Sequence, residues 1–315
     1  MNDYLDDVVG QDTAKRFLRA AIKRDNLYNL LLAGPRGVGK RTMGFALART
    51  LNCPLDSQNL HLITPIPSRI REKDEKIQEY SRRYLPDNPV IGSEDRVSIL
   101  TDQIRNLEAR LTHMPGANEK RVVLIIEADQ MTDEAANRFL KTLEEPPIDT
   151  VFILTSSRVE HLLPTIRSRC RNVPFRYLNQ AQIDKIVYSG TDDLLLGSAG
   201  EILSLRESGV IDKAMEVFEK TPLDLKSVAE VAGQYERKRV VDLYYPLMLL
   251  YRMVLYKKLD LVDRTDHDAE VTRKARRISV DLAVAAVTML NDSIIRLERN
   301  PNKLLNLAYV LLRLP

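Results

Sequence analysis

The chain has 315 residues, enough for about two domains, with 44% hydrophobic residues, 29% charged residues and a net charge of +3. That balance fits a globular protein and is too mild to imply nucleic-acid binding by bulk electrostatics. The two distant cysteines, Cys53 and Cys170, and four scattered histidines argue against a disulfide framework or a zinc site; no signal core or apolar run near the ~20 residues of a membrane span is legible, so a cytoplasmic location is expected.

Ala14, Phe17, Leu18, Ala21 and Ile22 recur at helical spacing and predict a helix from Gln11 to about Arg24. Leu27 to Ala33 reads as an apolar strand leading directly into Gly34-Pro35-Arg36-Gly37-Val38-Gly39-Lys40. Strand, glycine-rich loop and helix is the context of a phosphate-binding loop. Glycines let backbone amides turn toward an anion, the following helix presents its positive end, and a lysine adds a point charge. The candidate phosphate contacts are therefore Gly34, Gly37, Gly39 and Lys40. In the full motif a Ser or Thr follows the lysine and binds Mg²⁺. Here that position is Arg41, which would compete electrostatically with a metal, and Thr42 lies about 100° further round the helix. A loop that is purely structural is the alternative.

From Pro65 to Ser98 the sequence is polar and charge-mixed, with a short helix predicted around Glu72 to Arg83 and a loop containing Pro86 and Pro89. A solvated surface insertion is the favoured reading. Ile104, Leu107 and Leu111 then resume helical spacing. Val122 to Ile126 and Val151 to Leu154 have the β-branched content of strands buried on both faces. Between them Asp133 and Glu134 suit a helix N-terminus, Ala135, Ala136, Phe139, Leu140 and Leu143 supply its apolar face, and Pro146-Pro147 ends it.

Beyond Pro174 the pattern is helical only. Asn179 to Val187, Asp192 to Arg206 and Val210 to Phe218 read as a small lid. Leu225 to Val231, Arg239 to Lys258, Val280 to Arg299 and Asn302 to Leu314 read as a helical bundle, with Pro246 expected to bend or break its helix. The basic runs Arg273, Lys274, Arg276, Arg277 and Arg237 to Arg239 lack interleaved aromatics and read as solvated helix faces.

Val9-Gly10-Gln11, the loop Gly34 to Lys40, Asp102-Gln103-Ile104-Arg105, Ala135-Ala136-Asn137, Lys141-Thr142-Leu143-Glu144-Glu145-Pro146-Pro147 and Ser168-Arg169-Cys170 together resemble the AAA+ clamp-loader subunits of bacterial DNA polymerase III, and within them the delta-prime branch. The likeness covers residues 1 to about 206 well and the remainder by architecture. It implies an α/β fold: an AAA+ Rossmann-like phosphate-loop core with a parallel sheet over 1–176, a small helical lid over 177–222 and an all-α collar over 223–315.

The departures from active members are as informative. The resemblance places Ile126 where an acid would hold Mg²⁺, leaving only Glu127, and strand alternation argues against Glu127 replacing it. Active members resemble Gly-Ser-x-x-Arg in the lid, whereas this chain has Gly197-Ser198-Ala199-Gly200-Glu201. The family's zinc-binding cysteines after the position of Cys53 are absent, so no zinc is expected. Arg169 matches the arginine that reaches a neighbouring subunit's nucleotide, and Ser156 with Ser157 matches the polar sensor. The expectation is a subunit without ATPase activity of its own, binding ATP or ADP without turnover at the Lys40 loop, with Thr42 as a poor hydroxyl substitute. It would scaffold a hetero-oligomeric ring with gamma/tau and delta subunits, acting on the sliding clamp and primed DNA, with Arg169 as a finger in trans and no membrane contact. The alternatives are an active gamma/tau-like ATPase subunit and a standalone AAA+ protein of DNA repair.

Overall fold

The computed structural model describes residues 2–67, 70, 74–86, 88, 97–116, 119–186, 198–207, 209–234, 240–261, 268–299 and 302–315. Gly197, the basic run Arg237 to Arg239, the beginning of the helix expected from Asp192 and much of the 67–98 insertion lie outside them. The chain divides into two compact units, Met1–Val187 with Leu196–Glu201, and Tyr188–Leu195 with Ile202–Pro315. The stretch expected as a lid, 177–222, is thus shared between the two.

The first unit begins with α1 (Asp12–Lys23), β1 (Asn29–Ala33), α2 (Lys40–Thr50), β2 (Leu60–Ile63), β3 (Ile66–Pro67), α3 (Asp74–Ser81), β4 (Val97–Ser98) and α4 (Thr101–Leu111). It continues with β5 (Arg121–Ile125), α5 (Asp133–Glu144), β6 (Thr150–Ser156), α6 (Pro164–Arg169), β7 (Arg171–Pro174), α7 (Gln180–Ile183) and the first turn of α8 (Ala199–Glu207). Five strands form one sheet in the order β2-β5-β6-β1-β7, with every pairing parallel. This is the expected α/β phosphate-loop core. β3 and β4 form a separate antiparallel pair.

Strand alternation sorts the apolar side chains into two cores. Leu30, Leu32, Val122, Leu124, Ile126 and Ile153 join α1 and α2 on one face. Leu31, Val123, Ile125, Phe152 and Leu154 join α4, α5 and α6 on the other. Covering both faces explains why these strands are continuous apolar runs. α5 begins as its sequence dictates: the Thr132 side chain accepts from the Ala135 amide at 3.2 Å, and two acids occupy the first turn.

The insertion departs from the solvated reading. Tyr80 and Tyr84 are buried, and Ile70, Ile77 and Leu85 pack against the α1/α2 core. Ile77, Tyr80 and Tyr84 stand at i, i+3 and i+7, so the charges of this segment lie around an apolar stripe that anchors it.

In the second unit α9 (Val210–Lys220), α10 (Leu225–Gln234), α11 (Val240–Lys258), α12 (Asp268–Arg277), α13 (Val280–Arg299) and α14 (Lys303–Leu311) share one apolar core. α11 contacts α9, α12 and α13. It runs through Pro246 without a break. The lost amide bond, a cost of about 3 kcal/mol, is offset by the buried Tyr244, Leu247, Leu250 and Tyr251 on either side. Phe218 meets Tyr251 edge to face at 5.1 Å. Lys274 also departs from the solvated reading: Arg273, Arg276 and Arg277 are exposed, but Lys274 is buried. Its Nζ donates to Thr221 O and Oγ1, both at 2.7 Å, and to Pro315 O at 3.1 Å. These three acceptors replace water.

Candidate nucleotide site and a surface arginine

The glycine-rich loop leaves the carboxyl end of β1, between β6 and β7, where a parallel sheet offers its ligand crevice. Gly37 has φ +65° and Gly39 φ +95°, a region where glycine carries no Cβ penalty. A Cβ on Gly37 would lie 2.3 Å from Ser198 Oγ. None of the amides from Arg36 to Thr42 donates to a backbone carbonyl among the described residues, so this run remains open to an anion at the positive end of α2. Gly34 donates its amide to Ser156 O at 3.2 Å. Lys40 is buried, and its Nζ donates to Gly34 O at 2.6 Å and to Pro35 O. Burial pushes the Lys40 ammonium down to about 8, against the pull of Asp129 and Glu127.

Gln11 ties this loop to the sheet. Its Nε2 donates to Val38 O at 3.1 Å and to Arg176 O at 2.7 Å, while its Oε1 accepts from the Arg176 amide at 3.1 Å. Its motif was legible in the sequence, but this bracing role was not, because residue 176 lies 165 positions away in the chain.

Thr42 is exposed. Arg41 is tied to the insertion: its Nη2 donates to Asn88 O at 2.6 Å, and its Nη1 is buried with no partner among the described residues. Ile126 lies on the same alternating row as Val122 and Leu124, in the core shared with α2. An apolar side chain therefore fills the place the resemblance reserves for a metal-holding acid.

Glu127 corrects the argument from strand alternation. It lies past the end of β5 with φ +52°, so the alternation rule stops short of it. Its carboxylate approaches the Arg36 guanidinium at 3.9 Å, and its amide donates to Thr155 Oγ1 at 3.0 Å. Burial raises its pKa, outweighing the attraction of Arg36 and Lys40. Across the loop, Ser198 Oγ donates to Arg36 O at 2.8 Å and the Gly200 amide to Gly37 O at 3.0 Å. This brings Glu201, whose pKa is also raised by burial, to the phosphate loop.

Ser156 is buried, and its Oγ accepts from the Arg158 amide at 3.1 Å. Asp129 accepts from the Ser157 amide and from Arg158 Nε, each at 3.3 Å. Asp129 and Arg158 were not recognised as site residues in the sequence; the acid three residues after the apolar run was the available signal.

Arg169 closes α6 at the surface. Its Nη1 donates to Thr165 O at 3.1 Å and its Nη2 pairs with the Glu144 carboxylate. Asn29 Nδ2 fixes the backbone beneath it, donating to Arg169 O at 3.2 Å and Leu143 O at 3.0 Å. Tyr28, Asn29, Ser168, Cys170 and Arg171 line, with Arg169, a shallow cavity of about 320 Å³.

Residues 10–179 match the family model described as DNA polymerase III, delta subunit. The chain is 30% identical over 218 residues to the DNA polymerase III subunit gamma of Buchnera aphidicola, covering 66% of this chain and 57% of that protein. It is 30% identical over 175 residues to the DNA polymerase III subunit delta' of Bacillus subtilis, covering 55% of this chain and 50% of that one. The chain thus spans only about half the length of these two relatives. A solved gamma-subunit-related protein from Thermotoga maritima aligns with 96% of this chain and 99% of its own at 18% identity and a TM-score of 0.48.

Proposed function

Since the chain belongs to the DNA polymerase III, delta subunit family, we propose that it acts in that polymerase's clamp loader as a subunit that does not hydrolyse nucleotide and that completes a neighbour's site with Arg169. The observation that carries this reading is Ile126, just past β5 and buried in the apolar core shared with α2. Phosphoryl transfer depends on positioned charge, with a metal ion neutralising the phosphates. Here the hydroxyl position is Arg41, the acid position is Ile126 and the lid position is Glu201. Glu127 remains beside the loop, 3.9 Å from the Arg36 guanidinium, but the neighbouring position that would hold a metal is the apolar Ile126.

The amides from Arg36 to Thr42 and the Lys40 ammonium supply what phosphate binding needs without turnover. Arg41 adds a permanent positive charge at the start of α2, next to Lys40. Arg169 has the exposure and charge to act outside its own chain, where an arginine finger is worth roughly 10³ to 10⁵ in rate. The partners in this reading are gamma/tau and delta subunits, with the sliding clamp and primed DNA engaged through the assembly.

The position of Glu127 favours one second reading, a gamma/tau-like ATPase. The two are separated by measuring nucleotide hydrolysis by the isolated chain. No turnover above background is expected, and a rate abolished by Lys40→Ala would overturn the proposal. In a reconstituted loader, Arg169→Ala is expected to assemble normally and lower DNA-stimulated hydrolysis by at least about a hundredfold. Unchanged turnover would remove the finger assignment.

A further inference from the structure

We infer that Asn29 is a positioning residue for Arg169: its buried amide clamps the carboxyl ends of α5 and α6 together, so that the Glu144 carboxylate and the Arg169 guanidinium meet at the surface in one geometry. This deepens the reading of Arg169 as a finger in trans and rests on it.

The clamp begins with a residue type out of place. Asn29 opens β1, a strand buried along its whole length, and strand alternation puts its side chain on the row of Leu31 and Ala33, which faces α5 and α6. Such a position ordinarily takes an apolar or β-branched side chain. A buried amide needs partners, and Nδ2 has two: it donates to Leu143 O at 3.0 Å and to Arg169 O at 3.2 Å. Oδ1 is buried with no partner among the described residues, so this asparagine carries a desolvation cost that a valine would not.

Both acceptors are orphans by position. Leu143 lies in the last turn of α5 and Arg169 is the final residue of α6, where carbonyls have no partner within the helix. One amide group therefore sets the separation of two backbones, and those backbones carry the two halves of an ion pair. Glu144 follows Leu143, and its carboxylate receives Arg169 Nη2, while Nη1 is held by Thr165 O at 3.1 Å. An ion pair this exposed adds little to stability. Its effect is on conformation: a long arginine side chain is confined before a neighbouring subunit docks, which lowers the ordering cost of using it. Removing the clamp frees α5 and α6 to shift against each other, and a shift of about 1 Å is enough to misplace a reacting group.

The test uses the full chain reconstituted in the loader, with kcat for DNA-stimulated hydrolysis and KM for nucleotide measured side by side. Asn29→Val, which suits a buried strand, is expected to assemble normally, to lower kcat by about tenfold and to leave KM unchanged. In the Arg169→Ala background it should bring no further loss, because a residue that acts only through Arg169 has nothing left to position. Should Asn29→Val melt early or fail to assemble, Asn29→Ser, polar but too short to span both carbonyls, is expected to give the same split. Wild-type kcat in these variants, or an equal fractional loss in both backgrounds, would overturn the inference, while the finger reading stands on the loss caused by Arg169→Ala. Unchanged turnover in Arg169→Ala itself would overturn both.

Discussion

At Lys274 a charge sits in the core of the second unit, held by Thr221 and Pro315 and facing the Phe218 ring at 5.2 Å. Burial, with some repulsion from Arg277, pushes its ammonium down to about 8. A lysine whose folded pKa lies below its unfolded value of ~10.4 binds fewer protons folded than unfolded between those values. Its penalty is therefore complete below about pH 8 and relieved as pH rises through that window, so stability should climb. Lys40 shifts in the same direction, so a substituted chain is needed to isolate the effect. In thermal melts from about pH 8 to 10, Lys274→Met should show a smaller upward change in Tm than the unsubstituted chain. Parallel profiles would mean that Lys274 keeps its ordinary pKa.

At the scale of elements, the phosphate loop is placed by how closely α2 approaches β5. Gly44 makes this approach possible, since a Cβ there would lie 2.7 Å from Cδ1 of the fully buried Leu124. Alanine would gain about 1 kcal/mol of helix propensity, but overpacking costs typically 1–3 kcal/mol. Gly44→Ala should therefore lower the unfolding free energy by up to about 2 kcal/mol, measured by urea titration. A stabilised variant would show that Leu124 has room to move. α5 is the counterexample of an element written plainly in the sequence: Thr132, two first-turn acids and the Pro146-Pro147 stop are all local signals. The 66–88 segment was harder to read because its charges outnumber its apolar residues, although three of the latter already stood at helical spacing.

For the whole molecule, the apolar side chains form separate cores: two on the faces of the parallel sheet and one that unites α9 to α14. A core of its own is what lets a unit fold alone. Residues 202–315 expressed separately should give helical circular dichroism and a single cooperative melt. A fragment with a non-cooperative melt would show that the bundle depends on the first unit for its stability. Among the described residues no single helix is long and apolar enough to cross a membrane.

The sequence by itself determined the strand-loop-helix around Lys40, the alternation of strands and helices up to Pro174 and the all-helical remainder. Each of these is set by short-range periodicity, turn chemistry or capping. It also exposed Arg41, Ile126 and Glu201, because a motif with a wrong residue type is visible without coordinates. Only the tertiary structure decided where chemistry assembles. Glu127 reaches the loop because the backbone turns left-handed just past β5, Tyr84 is buried because the insertion folds onto the core, and Arg169 pairs with Glu144 from 25 residues away. Such contacts are energies between distant chain positions, and no local pattern encodes the partner at the other end.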